Sequence, residues 1–162
     1  MSYKRKKGKS FTKGKRKVYP FKGIDYKSGL ERNMAILLDA EGILFRYEPV
    51  TFRVMEGFYF PFKSYERQAN GKGDMVDRGQ KKVQGITYTP DFIGKGFIIE
   101  TKGYANETFP RTWKMFKNWL TENEDYDPDD IVLYKPQKIS ECEEVVKLIK
   151  QYQNERRTQT SK

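Results

Sequence analysis

Lys and Arg dominate residues 1–23, where apolar positions are sparse, and beyond them the hydrophobic pattern switches between helical and strand periods. Leu30, Met34, Leu37 and Leu38 fall on one helical face. Ser28 stands at the N-cap position and Gly42 at the stop, so a helix is expected between them. Ile43 to Tyr47 and Thr51 to Met55 read as strands, the second alternating Phe52 and Val54 with Thr51 and Arg53. Gly57 to Phe62 suits an edge strand, because Pro61 has no amide to give to a ladder, and Gln68 to Lys82 reads as a polar, glycine-containing excursion.

Ile86 to Ile93 and Phe97 to Thr101 are β-prone runs joined by Gly94-Lys95-Gly96, the pattern of a hairpin. Thr108 and Pro110 suit the cap and first turn of a helix reaching about Thr121, with Trp113, Phe116 and Leu120 inward. After an acidic stretch from Glu122 to Asp130, which reads as a solvated loop, Ile131 to Tyr134 is a short strand. Ser140 is the expected cap of a last helix that carries Cys142, Val145, Ile149 and Tyr152 on one face. This order predicts an α/β fold with a mixed central β-sheet flanked by helices. Without repeats or linkers, one domain is expected over residues 24–156, between a basic arm at 1–23 and a tail at 157–162.

Composition narrows the chemistry. The 162 residues contain no histidine and one cysteine, which excludes Ser-His and Cys-His nucleophile pairs, an imidazole base, an internal disulfide and a cysteine or histidine zinc cluster. No apolar run approaches a membrane span and no signal-peptide core is present, so a soluble, cytoplasmic protein is expected.

The formal charge of +10 sits in one place. Residues 1–23 hold ten basic side chains and no acid, and the remaining 22 basic residues are matched by 22 acidic ones. Such an arm buries no core; it would attract phosphate by counterion release, or serve as a solubility or localisation tail or dock on an acidic protein. Lys4, Arg5, Lys6, Lys7, Lys13, Lys15, Arg16 and Lys17 are its candidate nucleic-acid contacts. Arg111, Lys114 and Lys117 add a basic stripe on the helix after the hairpin, which would follow a phosphate backbone or form an ordinary solvated face.

The candidate chemistry lies in the hairpin, where Pro90-Asp91 is followed by Glu100-Thr101-Lys102. Glu100 and Lys102 project to the same face of their strand, and pairing across the turn brings Asp91 near the start of the second strand. Two carboxylates beside a lysine would form an all-oxygen site for Mg²⁺ or Mn²⁺, completed by the main-chain carbonyl of Thr101 and water, or else an ordinary turn Asp and a charged strand face. Such a cation polarises a phosphodiester and activates water, and Lys102 could orient or deprotonate that water.

These residues carry a resemblance. Pro90-Asp91 with Glu100-Thr101-Lys102-Gly103 resembles the signature of the PD-(D/E)xK nuclease superfamily. Thr87-Tyr-Thr-Pro-Asp-Phe92, Phe97-Ile-Ile-Glu-Thr-Lys-Gly103 and Ser28-Gly-Leu-Glu31 are similar to the phage endonuclease I family of Holliday-junction resolvases. The similarity spans about residues 21–104. It implies a restriction-endonuclease-like αβββαβ core, two divalent cations, DNA as substrate, a homodimer and a place in the host-cell cytoplasm. Asp91, Glu100 and Lys102 would form the catalytic site, with Glu31 as a further metal-site carboxylate.

Ser28 and Glu31 also stand in capping-box relation, which would occupy the Glu31 carboxylate without any catalysis. The chain departs from that family in its longer polar segment from Gly57 to Gln84, its lack of histidine, its basic arm and its C-terminal helices. A metal-dependent DNA endonuclease leads; a non-catalytic nucleic-acid-binding or phage structural protein on the same scaffold, and an RNA-directed nuclease, remain open.

Overall fold

In a computed structural model the described residues are 17–103 and 108–160. Tyr19–Phe21 (β1) and Ile24–Tyr26 (β2) pair as a small antiparallel hairpin. Gly23, at a φ of +80°, makes its turn. This hairpin lies within or against the segment expected to be an arm. Tyr19 and Phe21 pack on the core and Tyr26 is fully buried, so the fold takes in the end of the basic run.

Helix α1 covers Gly29–Ala40 and follows its local signals. The Ser28 side chain accepts the Glu31 amide at 3.1 Å. At the other end Gly42 adopts a φ of +64°, donating to Asp39 while Ile43 donates to Leu38. That pair of bonds is a Schellman closure, which needs a residue tolerant of the left-handed conformation. Met34, Ala35 and Leu38 become fully buried.

Two chain segments then run out and back as a long antiparallel ladder. Outward come Phe45–Tyr47 (β3), Phe52–Met55 (β4), Phe58–Phe60 (β5) and Tyr65–Glu66 (β6). Val76–Asp77 (β7), Lys81–Val83 (β8), Ile86–Tyr88 (β9) and Phe92–Gly94 (β10) return. The pairings are nested: β6 with β7, β5 with β8, β4 with β9, β3 with β10. The expected polar excursion from Gln68 to Lys82 is mostly irregular chain at the tip of a ribbon, and it contains β7 and the start of β8 on the returning side. Gly57 and Gly85 face one another where β4/β9 hands over to β5/β8. A Cβ on Gly85 would lie 2.6 Å from the Met55 carbonyl, and one on Gly57 would lie 2.9 Å from that of Val83.

Ile86 to Ile93 does not form a single strand. Pro90 cannot donate to a ladder, and the chain changes partner between β9 and β10. From β10 the chain turns through Lys95-Gly96, with Gly96 at a φ of +82°, into Phe97–Ile99 (β11). Phe109–Glu122 (α2) crosses to Val132–Tyr134 (β12), parallel to β11, and Ile139–Thr160 (α3) follows. The main sheet has the order β12-β11-β10-β3.

Alternation along these short strands divides the core between the two faces of the sheet. Phe92, Phe97, Ile99 and Tyr134 pack with α1 and α3, whereas Ile98, Ile93 and Leu133 pack with Phe109, Trp113 and Phe116 of α2. The protein is thus a mixed α/β fold with three helices among the described residues and several small, mostly antiparallel sheets.

Two expected caps differ. Thr108 makes no side-chain cap bond, and Pro110 alone marks the start of α2. Ser140 lies inside α3, where Glu141 and Cys142 donate to the Lys138 carbonyl and the Glu141 carboxylate accepts the Gln137 amide at 2.7 Å. The acidic loop is exposed yet anchored, since Tyr152 donates to the Asp129 carbonyl and Arg156 pairs with Asp130. Helix α3 continues to Thr160, beyond the expected domain end at 156. Among the described residues no helix is long and apolar enough to cross a membrane.

Candidate active site

The two-residue turn sets the register Phe92↔Ile99, so the next opposed positions are Asp91 and Glu100. Both are buried, as is Thr101. Thr101 fastens Asp91 twice, its amide and its hydroxyl each donating to Oδ2 at 2.7 Å. Backbone bonds fix the frame: Glu48 donates to the Asp91 carbonyl, Glu100 to that of Tyr134 and Lys102 to that of Pro136.

Glu100 is held by Tyr88, whose phenol donates to Oε2 at 2.7 Å in a fully buried bond. The Tyr88 ring packs on Phe116 and Trp113 of α2, with centroids 4.6 and 5.8 Å away. The aromatic face of α2 thereby positions the Glu100 carboxylate through Tyr88.

Glu31, in the first turn of α1, is also buried. The capping box is half formed. Ser28 caps the Glu31 amide, but the Glu31 carboxylate reaches past the N-cap to the Lys27 amide at 2.9 Å and takes the Tyr47 phenol at 2.5 Å, both on Oε2. Tyr47 is set by its contacts with Tyr26 and Phe92, at 4.6 and 5.5 Å between centroids.

A common pattern links the three acids. Each accepts hydrogen bonds on one oxygen, Asp91 Oδ2, Glu100 Oε2 and Glu31 Oε2, and Glu100 is further stabilised by the Asp91 amide and by Lys102 near Oε1. Burial, then the charge of Glu100 and more weakly that of Glu31, pushes the Asp91 carboxyl up to about 7, against the two Thr101 bonds. Burial also raises Glu100, opposed by the Tyr88 bond and Lys102. Both tyrosines are pushed up, Tyr88 by burial and then Glu100, Tyr47 by burial and then its bond to Glu31, so each stays a hydrogen-bond donor.

Lys102 is partly buried, with Nζ 3.8 Å from Glu100 Oε1 and 4.6 Å from the centre of the Phe109 ring. The sequence-derived set Glu31, Asp91, Glu100, Thr101 and Lys102 is brought into one electrostatic neighbourhood. Among the described residues there is no ready-made group of three or more His, Cys, Asp or Glu side chains able to hold a metal ion. The donor chemistry, hard carboxylate oxygens, is nevertheless that of a Mg²⁺ or Mn²⁺ site. Tyr88 and Tyr47 were not expected as site residues. The available signal was the general one that a buried phenol among apolar neighbours requires an acceptor.

Arg111, Lys114 and Lys117 are exposed along α2, opposite Trp113 and Phe116, and Lys117 Nζ lies 5.7 Å from the Trp113 ring centre. Lys17 is exposed over Tyr19. Lys4, Arg5, Lys6, Lys7, Lys13, Lys15 and Arg16 lie outside the described residues. No protein-family model, curated protein or solved structure matches this chain.

Proposed function

We propose that this chain is a divalent-metal-dependent DNA endonuclease of the PD-(D/E)xK type, selective for DNA structure in the manner of a Holliday-junction resolvase. The observation that carries the reading is the set of three buried acids, each oriented by hydrogen bonds, with Lys102 beside Glu100. In support, α1, β3, β10, β11, α2 and β12 follow the αβββαβ order that the resemblance implies, with the ribbon inserted between β3 and β10.

Asp91 and Glu100, with Glu31 beside them, would hold Mg²⁺ or Mn²⁺, and the Thr101 carbonyl is a further donor in the same reading. The bound cation would supply Lewis-acid stabilisation of the phosphodiester and an activated water. Lys102 places a cationic hydrogen-bond donor beside Glu100, suited to orienting that water or stabilising the developing charge. Tyr88, Thr101 and Tyr47 restrain the acids so that less reorganisation is needed as charge builds. The arm and the α2 stripe would hold the duplex by its phosphates, and a homodimer would present two sites to a branched substrate.

Incubation with four-way, nicked and linear DNA in Mg²⁺ or Mn²⁺ tests this. Preferential cutting of the junction is expected. No cleavage by the wild type, or full cleavage by Asp91→Asn, overturns it. The second reading, a non-catalytic nucleic-acid binder, is favoured by the lack of a ready-made metal group among the described residues. Such a binder would hold DNA equally in EDTA and gain no thermal stability from divalent ions.

A further inference from the structure

We propose that the ribbon formed by β5 to β8 is a second DNA-binding element, which takes up duplex running outward from the candidate active site. This rests on the nuclease reading for the path of the DNA. The ribbon itself was not among the sites expected from sequence.

Its physical state is unusual. A two-stranded ladder gains little stability alone in water, and this one is exposed over most of its length. Phe58, Tyr59, Phe62 and Tyr65 are 48%, 62%, 68% and 59% exposed. Phe58 pairs with Val83 and Phe60 with Lys81, placing aromatic and aliphatic groups on one face beside lysine, while Tyr59 pairs with Lys82 on the other. Aromatic groups interleaved with lysine suit a phosphate backbone and the sugars and bases beside it.

Charge selects the partner. Between 57 and 84 stand Lys63, Arg67, Lys72, Arg78, Lys81 and Lys82 against Glu66, Asp74 and Asp77. Two of the three acids are turned toward the ribbon itself. Asp77 Oδ1 accepts the Ser64 and Gly79 amides, and Glu66 accepts the Ser64 hydroxyl. Lys72, Lys81 and Lys82 are exposed and have no ion-pair partner among the described residues, and the exposed Lys63 acts on Asp77 only at longer range than an ion pair. The lysines are thus left for an anion from outside. Two copies of the ribbon packed together would set these charges against each other, whereas a duplex neutralises them.

Size and position agree. A two-stranded β-ribbon fits the major groove of B-DNA, about 12 Å wide. It is continuous with β9, which bears Tyr88 and leads directly to Asp91. DNA cut at the site would therefore meet the ribbon on one side.

The test compares the full chain with a Lys63→Ser, Lys81→Ser, Lys82→Ser variant by fluorescence anisotropy on a 40-base-pair duplex in EDTA, over a range of salt. Measuring without divalent ions separates it from the nuclease reading: absence of cleavage would overturn that reading and leave this measurement standing. Each lost phosphate contact lowers the slope of log K against log salt by about 0.9, so the slope should become shallower by roughly 3 and affinity near physiological salt should drop at least about tenfold. An unchanged slope and affinity overturn the proposal. So does a wild-type dimer that the substitutions convert to monomer at unchanged affinity per chain, which would make the ribbon a contact between copies.

Discussion

Tyr88 donates its phenolic hydrogen to Glu100 Oε2 at 2.7 Å, with both groups buried, and so converts the packing of α2 into the orientation of a carboxylate. Tyr88→Phe keeps the ring and deletes the bond. Leaving a buried acceptor short of a donor should cost about 1–3 kcal/mol in urea unfolding, and metal-dependent cleavage should fall while the Phe116 contact persists. An unchanged midpoint and rate would mean that Glu100 is held by other means.

The position of Asp91 gives a pH dependence whose sign is fixed by burial. Its carboxyl keeps a proton up to about 7 in the folded protein, against about 4 when unfolded. The folded state therefore binds the proton more tightly. The contribution to stability is complete below about pH 4, is lost as pH rises toward 7, and is flat above. Melting in EDTA should show wild-type stability declining across this window by on the order of a few kcal/mol from this group, and Asp91→Asn should show a shallower decline.

Divalent ions should reverse that loss. A cation at Asp91 and Glu100 would compete with the proton held by Asp91, so Mg²⁺ or Mn²⁺ should raise the melting temperature more at pH 8 than at pH 6. Asp91→Asn and Glu100→Gln should abolish the increment. Equal increments in wild type and variants would place the ion elsewhere.

Lys102 separates catalysis from stability. Its Nζ is 3.8 Å from Glu100 and its side chain is partly exposed, a geometry worth at most about 1 kcal/mol. Lys102→Ala should therefore unfold near the wild-type denaturant midpoint, yet lose on the order of a hundredfold or more in cleavage. A fully active variant would remove Lys102 from the mechanism.

Phe116 carries the aromatic face of α2. It is fully buried against Tyr88, Phe52 and Trp113. Phe116→Ala should cost about 3–5 kcal/mol by urea unfolding, among the largest losses from any single truncation on that side of the sheet.

Elements whose cause is local were legible in the sequence. Ser28 and Gly42 bound α1 because a cap and a left-handed residue act within one turn. The hairpin was legible too, but its register was not: Gly94 belongs to β10, and the two-residue Lys95-Gly96 turn that remains sets the opposition of Asp91 and Glu100. The ribbon was not legible, since its ladders are two or three residues long and are offset by irregularities, as between Arg53 and Met55 and at Gln80, where φ is +47°. No period survives such interruptions. The roles of Tyr88 and Tyr47 were hidden for another reason: each depends on packing partners distant in sequence, Phe116 in one case and Tyr26 in the other.

The nested ladder also bears on how the chain finds its fold. Phe45 and Gly94 are 49 positions apart, a separation whose closure in a single event would be entropically costly and slow. The ladder from Tyr65↔Asp77 down to Phe45↔Gly94 offers a zipper, in which each pairing encloses little new slack after the one before it. Delivery of β10 to β3, and with it the placing of Asp91, then becomes a sequence of short steps begun at an exposed tip at the opposite end of the ladder from the candidate site.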